Sequence, residues 1–271
     1  MSWLGKILGG TFGFFMGGPL GAVLGAALGH QFDKGVEGID RLGGDGFNLG
    51  DQARVQTAFF TATFSVMGHI AKADGHVSPK EIEMAKAVMS KMELSPELRK
   101  TAINLFNEGK KEGFPLDAAL EQFRKECHRR STLIQMFIEI QLQAAFADGD
   151  FDDSEEALLL HICDQLGFSR YSFQRIKALV EAQQRFSSSW QNNHPRSQGP
   201  TLSDAYQSLG QKESASDAEV KKAYRRLMSQ HHPDKLVSKG LPEEMMKIAT
   251  EKTKEIQKAY ETIREARKSA Q

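Results

Sequence analysis

Residues 217–235 read DAEVKKAYRRLMSQHHPDK. From about Asp217 to Gln230 the stretch keeps a helical period, with Val220, Ala223, Tyr224 and Leu227 on one apolar face. Ser216 or Asp217 supplies the N-cap. The opposite face gathers Lys221, Lys222, Arg225 and Arg226. These form like-charge pairs at i,i+4, each costing roughly a few tenths of a kcal/mol of helix stability. A helix that concentrates such pairs has either a solvated face or an acidic partner. Pro233 ends the helix and pushes His232 out of the right-handed helical region. The tripeptide His232-Pro233-Asp234 alone is a weak signal, so its flanks carry the argument.

Upstream, Leu202 to Leu209 reads as a short helix presenting Leu202, Ala205, Tyr206 and Leu209. Downstream, a third helix is expected from about Pro242 to Lys268, with Met245, Ala249, Ile256, Ala259, Tyr260 and Ile263 inward. Two antiparallel helices and a short one in front can share a small core, leaving the loop exposed at one end. This C-terminal unit spans 201–271, and a polar linker at 185–200, rich in Ser, Gln, Asn and Pro, precedes it. Phe186 and Trp190 are candidates to dock back on a neighbouring surface.

The region 53–184 is helical in pattern and repeats itself. Phe59, Phe60, Val66, Met67 and Ile70 make one apolar stripe; Leu133, Ile134, Phe137, Ile140 and Ala144 make another. Each stripe ends in Ala-Asp-Gly, at residues 73–75 and 147–149. The offset of 74 also pairs Val77 with Phe151, Glu81 with Glu155, Val88 with Ile162, Met92 with Leu166 and Ser95 with Ser169, which marks an internal duplication. Ser78 and Glu81 make a capping box with Pro79 at the first helical position, and Asp152 to Glu155 make the corresponding acidic start. An EF-hand is rejected, because its first and third ligand positions would fall on Ile70 and Lys72, or on Ala144 and Phe146. A weaker acidic site from Asp74, Asp148, Asp150, Asp152 and Asp153 stays open beside the reading of these residues as helix caps. His69, His76, His128 and His161 lack a metal-ligand spacing and read as structural or surface residues. The basic run from Arg124 to Arg130 reads as a solvated helix end, with an acidic lipid or partner as the alternative.

Residues 7–29 carry no charged side chain, and 23 residues make roughly 35 Å of helix, enough to cross a bilayer core of about 30 Å. Glycine recurs every fourth residue from Gly5 to Gly29. In water such a helix would lose about 1 kcal/mol per glycine; in lipid the backbone must satisfy itself, and the stripe of Gly9, Gly13, Gly17, Gly21 and Gly25 becomes a face for close pairing with a second copy. Phe12, Phe15, Leu20, Leu24 and Leu28 are then left for lipid, with Pro19 as a kink. Residues 1–6 would lie on the far side, and 30–52 form a glycine-rich linker. A cleavable signal peptide is the weaker reading, since the apolar run is longer than such a segment needs.

Lys+Arg and Asp+Glu both total 35, so net charge points to no polyanionic partner. Two cysteines, Cys127 and Cys163, make no disulfide framework and no zinc site. No nucleophile–base pair or metal set is visible. The chain is therefore expected to be no enzyme, with no cofactor, no metal and no nucleic-acid partner.

Residues 202–264 resemble a J domain. The matching segments are Asp204 to Tyr206 with Leu209 and Gly210, then Lys221 to Leu227, His231 to Lys235, and Glu255 to Glu261. Residues 54–184 resemble the TerB-like tellurite-resistance domain through the paired Ala-Asp-Gly turns. With the glycine-striped span in front, the order of parts is similar to the DjlA family of membrane-anchored DnaJ-like co-chaperones. The glycine/phenylalanine region and zinc-binding domain of full DnaJ are absent. The resemblance implies an all-α protein with a transmembrane helix, a helical bundle and a J-domain hairpin. It further implies binding to an Hsp70 (DnaK in bacteria), stimulation of its ATP hydrolysis, and indirect work with its nucleotide exchange factor. His232, Pro233, Asp234, Lys221, Lys222, Arg225 and Arg226 would carry the contact. Because Hsp70 and ATP are cytosolic, residues 30–271 are expected on the cytoplasmic side of the bacterial inner membrane. A membrane scaffold with a degenerate J domain is the competing reading.

Overall fold

The computed structural model describes residues 18–32, 51–73, 86, 89–90, 94–146, 151–191 and 201–269. All regular structure among them is helical. Helix α1 spans Gly18–Phe32, α2 Asp51–Ile70, α3 Pro96–Gly109, α4 Leu116–Glu126, α5 Ser131–Ala145, α6 Asp153–Leu166 and α7 Arg170–Gln191. The C-terminal unit follows with α8 (Leu202–Ser208), α9 (Asp217–His231), α10 (Pro233–Ser238) and α11 (Met246–Ser269).

Helix α2 is the axis of the bundle. The sequence suggests a single apolar stripe there, but residues 55–68 are buried on every side. Two of its hydroxyls use carbonyls of their own helix, Thr57 Oγ1 donating to Ala53 O and Ser65 Oγ to Thr61 O, whereas the buried Thr61 and Thr63 hydroxyls find no partner among the described residues. Phe59 packs among Phe123 of α4 and Phe137 of α5, at centroid distances of 6.0 and 6.4 Å. Helix α3 crosses α2 at glycines. A Cβ on Gly68 would stand 2.0 Å from Phe106 O, and one on Gly109 1.8 Å from Ser65 O.

Two caps stand 74 positions apart. Ser95 accepts the Leu98 N–H at the start of α3, and Ser169 accepts the Ser172 N–H at the start of α7. Asp152 and Glu155 form a reciprocal capping box on α6, as their spacing predicts. Both Asp-Gly pairs, and the Ser78–Glu81 box, lie outside the described residues.

Helix α1 departs from the sequence expectation. Leu20 and Leu24, assigned there to lipid, are buried with Val23 and Ala27 in the same core as α2, α3 and α4. The bundle also bonds to the helix backbone at two points: the Leu20 N–H donates to Gln122 Oε1 at 2.8 Å, and Asn104 Nδ2 donates to Ala27 O at 2.8 Å. The physical reason is that an apolar stripe at helical spacing suits a protein groove as well as a bilayer. Gly21 is buried, while a Cβ on Gly25 would meet nothing within 4 Å. Among the described residues no helix is long and apolar enough to cross a membrane. Residues 7–17, with Phe12, Phe15, Gly9, Gly13 and Gly17, lie outside the described residues.

The C-terminal hairpin has its own small core of Ala205, Tyr206, Leu209, Val220, Leu227, Ile256, Ala259 and Ile263. Tyr224 and Tyr260 stack at 4.3 Å across α9 and α11. Arg267 closes the far end on Tyr206 Oη, Asp217 and the Ala215 carbonyl. Two expectations are corrected. Pro242 caps a short 3-10 turn at Glu243–Met245, so α11 begins at Met246 and not at Pro242. Leu202 is 38% exposed and does not join the core.

The hairpin does not stand free. Leu236, Leu241, Met245, Ile248 and Ala249 belong to the bundle's core and not to the hairpin's. On the other flank Phe186 of α7 enters the hairpin's core, as its sequence position suggests, and Gln183 Nε2 donates to Ser208 O.

Candidate functional site

The loop is set by its two flanking helices. Ser216 caps α9 in a reciprocal box with Glu219, and this hydrogen bonding holds the Glu219 carboxyl below the ordinary range. The basic face predicted from the sequence, Lys221, Lys222, Arg225 and Arg226, is exposed throughout. Val220, Ala223 and Leu227 are buried beneath it.

At the loop itself His232 adopts φ −61° and ψ 122°, the extended conformation that a following proline imposes. Pro233 then occupies the first position of α10, where its missing N–H costs nothing. His232 Nδ1 accepts the Asp234 N–H at 3.2 Å, which leaves its Nε2 as the protonated nitrogen. The two side chains stand open to solvent, at 46% for His232 and 86% for Asp234. Lys235 Nζ donates to Ser229 Oγ at 2.7 Å and ties the loop back across its base. The arrangement offers a directional donor and a carboxylate from a stiff turn at the end of a helix that carries four exposed cations. It contains no nucleophile poised by a base.

Beneath the loop the chemistry is of another kind. His231, one residue earlier, is buried. Its Nδ1 faces Leu227 O at 2.9 Å and its Nε2 faces Glu139 Oε2 of α5 at 2.8 Å. Both ring nitrogens therefore face oxygen atoms. Glu139 also accepts from Gln135 Nε2 at 2.9 Å, and Lys252 Nζ of α11 lies 4.0 Å away. Burial pushes the Glu139 carboxyl up, but the charge and hydrogen bond of His231, with Lys252 and Gln135 behind them, bring it down to about 2. Just past the loop, Lys239 Nζ donates to Thr132 Oγ1, and Gly240 (φ +105°) presses against Val55. Sequence reasoning missed this base. Its signals were a lone glutamate inside the apolar run of α5 and a lysine on the inward face of α11.

The remaining candidates have structural roles. His69 Nδ1 lies 3.2 Å from Gly109 O, and His161 Nε2 lies 2.6 Å from Asp117 Oδ1. His128 is exposed past the end of α4, where the basic run does form a helix end. His76 lies outside the described residues. Asp152 serves as a cap, and hydrogen bonds from Ser154 and the Glu155 backbone lower its carboxyl. Asp74, Asp148 and Asp150 lie outside the described residues, and among those described no cluster of His, Cys, Asp and Glu could hold a metal. Burial pushes the thiols of Cys127 and Cys163 up to about 12, so neither is a ready nucleophile.

Comparison with known proteins finds three family matches along the chain. Residues 1–44 match the co-chaperone DjlA transmembrane domain, residues 60–178 the tellurite resistance protein TerB family, and residues 204–271 the DnaJ domain. The chain is similar to the co-chaperone protein DjlA of Photobacterium profundum, 48% identical with 96% of this chain and 97% of that protein covered. It is likewise similar to the DjlA proteins of Vibrio cholerae, at 45% identity over 97% of this chain and 98% of that one, and of Escherichia coli, at 42% over 98% of each. No solved structure matches. A J domain makes the protein a regulator and not a catalyst, and the first 44 residues associate this family with membranes. The chain belongs to the DjlA co-chaperone family.

Proposed function

We propose that this protein recruits an Hsp70 of the DnaK type to the inner membrane and stimulates its ATP hydrolysis through His232-Pro233-Asp234. The observation that carries the reading is the joint exposure of that loop and of Lys221, Lys222, Arg225 and Arg226 at one edge of the hairpin. The four cations steer the edge onto an acidic groove and set the on-rate and its salt dependence. His232 and Asp234 make the directional contacts, and Pro233 keeps the loop stiff so that little ordering is lost on binding. The catalytic groups belong to the Hsp70; this chain shifts its partner's conformational equilibrium.

The anchor is the apolar stretch 7–29, which crosses the bilayer only when α1 leaves the groove that buries Leu20 and Leu24; residues 30–271 lie in the cytoplasm, where Hsp70 and ATP are found. Pairing of two copies through Gly9, Gly13, Gly17, Gly21 and Gly25 likewise requires α1 to leave the bundle, because Gly21 is buried and its neighbours Leu20 and Leu24 lie in the bundle core. The TerB-like domain decides where the recruited Hsp70 is put to use.

Single-turnover ATP hydrolysis by the Hsp70, with wild-type protein and with His232→Gln, tests the reading. Stimulation by the wild type and its loss in the variant are expected. Equal stimulation by both, or none by either, would sink it and leave a membrane scaffold as the better account.

A further inference from the structure

We propose that Glu139 is a positioning residue for the His232-Pro233-Asp234 loop: from the bundle it holds α9, whose last residue adjoins the loop, together with α11, the other arm of the hairpin, and so fixes how the loop is presented. This rests on the reading of the loop as the Hsp70-docking edge.

Three observations carry it. First, one carboxylate reaches both arms of the hairpin. Its Oε2 lies 2.8 Å from His231 Nε2, on the last residue of α9, and 4.0 Å from Lys252 Nζ on α11. Second, the group is dry: the side chains of Glu139, His231 and Lys252 are each exposed by 3% or less. Shifting the hairpin on α5 without opening the interface to water would leave those groups buried without their partner, and a buried charge without a partner is among the costliest defects in a fold. Third, the loop is held on its other side as well. Within eight residues of His232, Lys239 bonds to Thr132, and Gly240 comes so close that a Cβ would lie 2.6 Å from Val55 Cγ1. Both feet of the loop therefore stand on the bundle, while its tip remains open to solvent.

A purely stabilising role would place the ion pair anywhere along the hairpin. Here it lies at the residue adjoining the loop. His231 is also fixed to its own helix through Nδ1 and Leu227 O, so the imidazole passes the position of α5 directly to the loop's first backbone atoms. Lys252 Nζ has no hydrogen-bond partner among the described residues, so its part is electrostatic and secondary. The consequence is that an Hsp70 bound at the loop is held in a set orientation to the TerB-like bundle.

The test uses the full chain in lipid nanodiscs, with Glu139→Gln. Hydrogen exchange over residues 228–240, without any Hsp70, reads the loop directly. A rise of about tenfold there, with α2 and α6 unchanged, is expected, as loss of one local constraint opens one segment. In single-turnover hydrolysis the concentration for half-maximal stimulation should rise about fivefold to tenfold while the maximum rate stays at the wild-type level, the pattern of weakened binding without altered chemistry. Wild-type exchange over 228–240, or a rise spread equally over α2 and α6, would overturn the proposal. Because the single variant unbalances buried charge, Glu139→Gln with Lys252→Met serves as the second variant. Recovered melting with raised loop exchange supports positioning; recovery of both overturns it. If the wild type fails to stimulate hydrolysis, the docking reading fails alone, and the exchange experiment still decides the role of Glu139.

Discussion

His231 and His232 are neighbours with opposite fates. His231 is 2% exposed and paired with a glutamate 92 positions away; His232 is 46% exposed in its side chain and hydrogen-bonds only two residues along. The proline after them creates the difference. It ends α9 at His231, which stays on the inward face of the helix, and turns the backbone so that His232 faces out. One side chain thus serves the fold and the next serves the surface. The base of the hairpin should respond to substitution in stability, and the tip in partner binding.

Glu139→Ala strikes the base and should have the largest effect. It leaves His231 and Lys252 in a dry interface without their carboxylate, at a cost of about 3–5 kcal/mol in urea unfolding. His232→Ala removes an exposed cap, for which about 0.5–1 kcal/mol is expected. Comparable losses from the two would erase the distinction. The base also predicts an acid response. The Glu139 carboxyl is lowered in the fold, from 4.5 to about 2. A lowered carboxyl contributes stability above its unfolded value and loses it as pH falls through the folded one. The stability difference between wild type and Glu139→Gln should therefore shrink between about pH 5 and pH 2. A constant difference across that window would remove the ion pair from the account.

Much of this was legible in the sequence, and what was not shares a cause. The hairpin, its caps and the exposed basic face follow from periods of 3.6 residues and from residues within three positions of one another, such as Ser216 with Glu219. The base depends on Glu139 meeting His231 across 92 positions, which no local pattern encodes. Met245 and Ala249 show the limit in another way: spacing put both on an inward face correctly, but could not say that the core they enter is the bundle's. The same limit applies to α1. Its apolar stripe was evident, yet spacing alone does not distinguish lipid from the groove that buries Leu20 and Leu24.

Gly240→Ala should come next in size. Gly240 has φ +105°, where an L side chain is strained, and its Cβ would meet Val55 at 2.6 Å. Strain and overlap together should cost about 2–3 kcal/mol. Gly113 is the control, since its φ of +77° is also left-handed but nothing lies within 4 Å of an added Cβ. Gly113→Ala should cost only about 1 kcal/mol. Equal losses would mean that backbone conformation alone matters at Gly240 and that the hairpin does not press on α2.

The smallest effect on stability is expected at the outer face. Lys222 and Arg226 stand one turn apart on the exposed side of α9. Lys222→Glu replaces a like-charge pair by an opposite one with the glutamate N-terminal, the favourable order on a helix. The fold should gain about 0.3 kcal/mol in urea unfolding. The same change places a negative charge on the face assigned to an acidic partner. Half-maximal stimulation of the Hsp70 should then require a higher concentration at low salt, and the gap from wild type should narrow as salt screens the field. Stability and binding would thus move in opposite directions from one substitution, which is the behaviour expected of a surface kept basic for a partner and not for the fold. A variant that binds as the wild type does at every salt concentration would take Lys222 out of the docking edge and leave the loop to carry the contact.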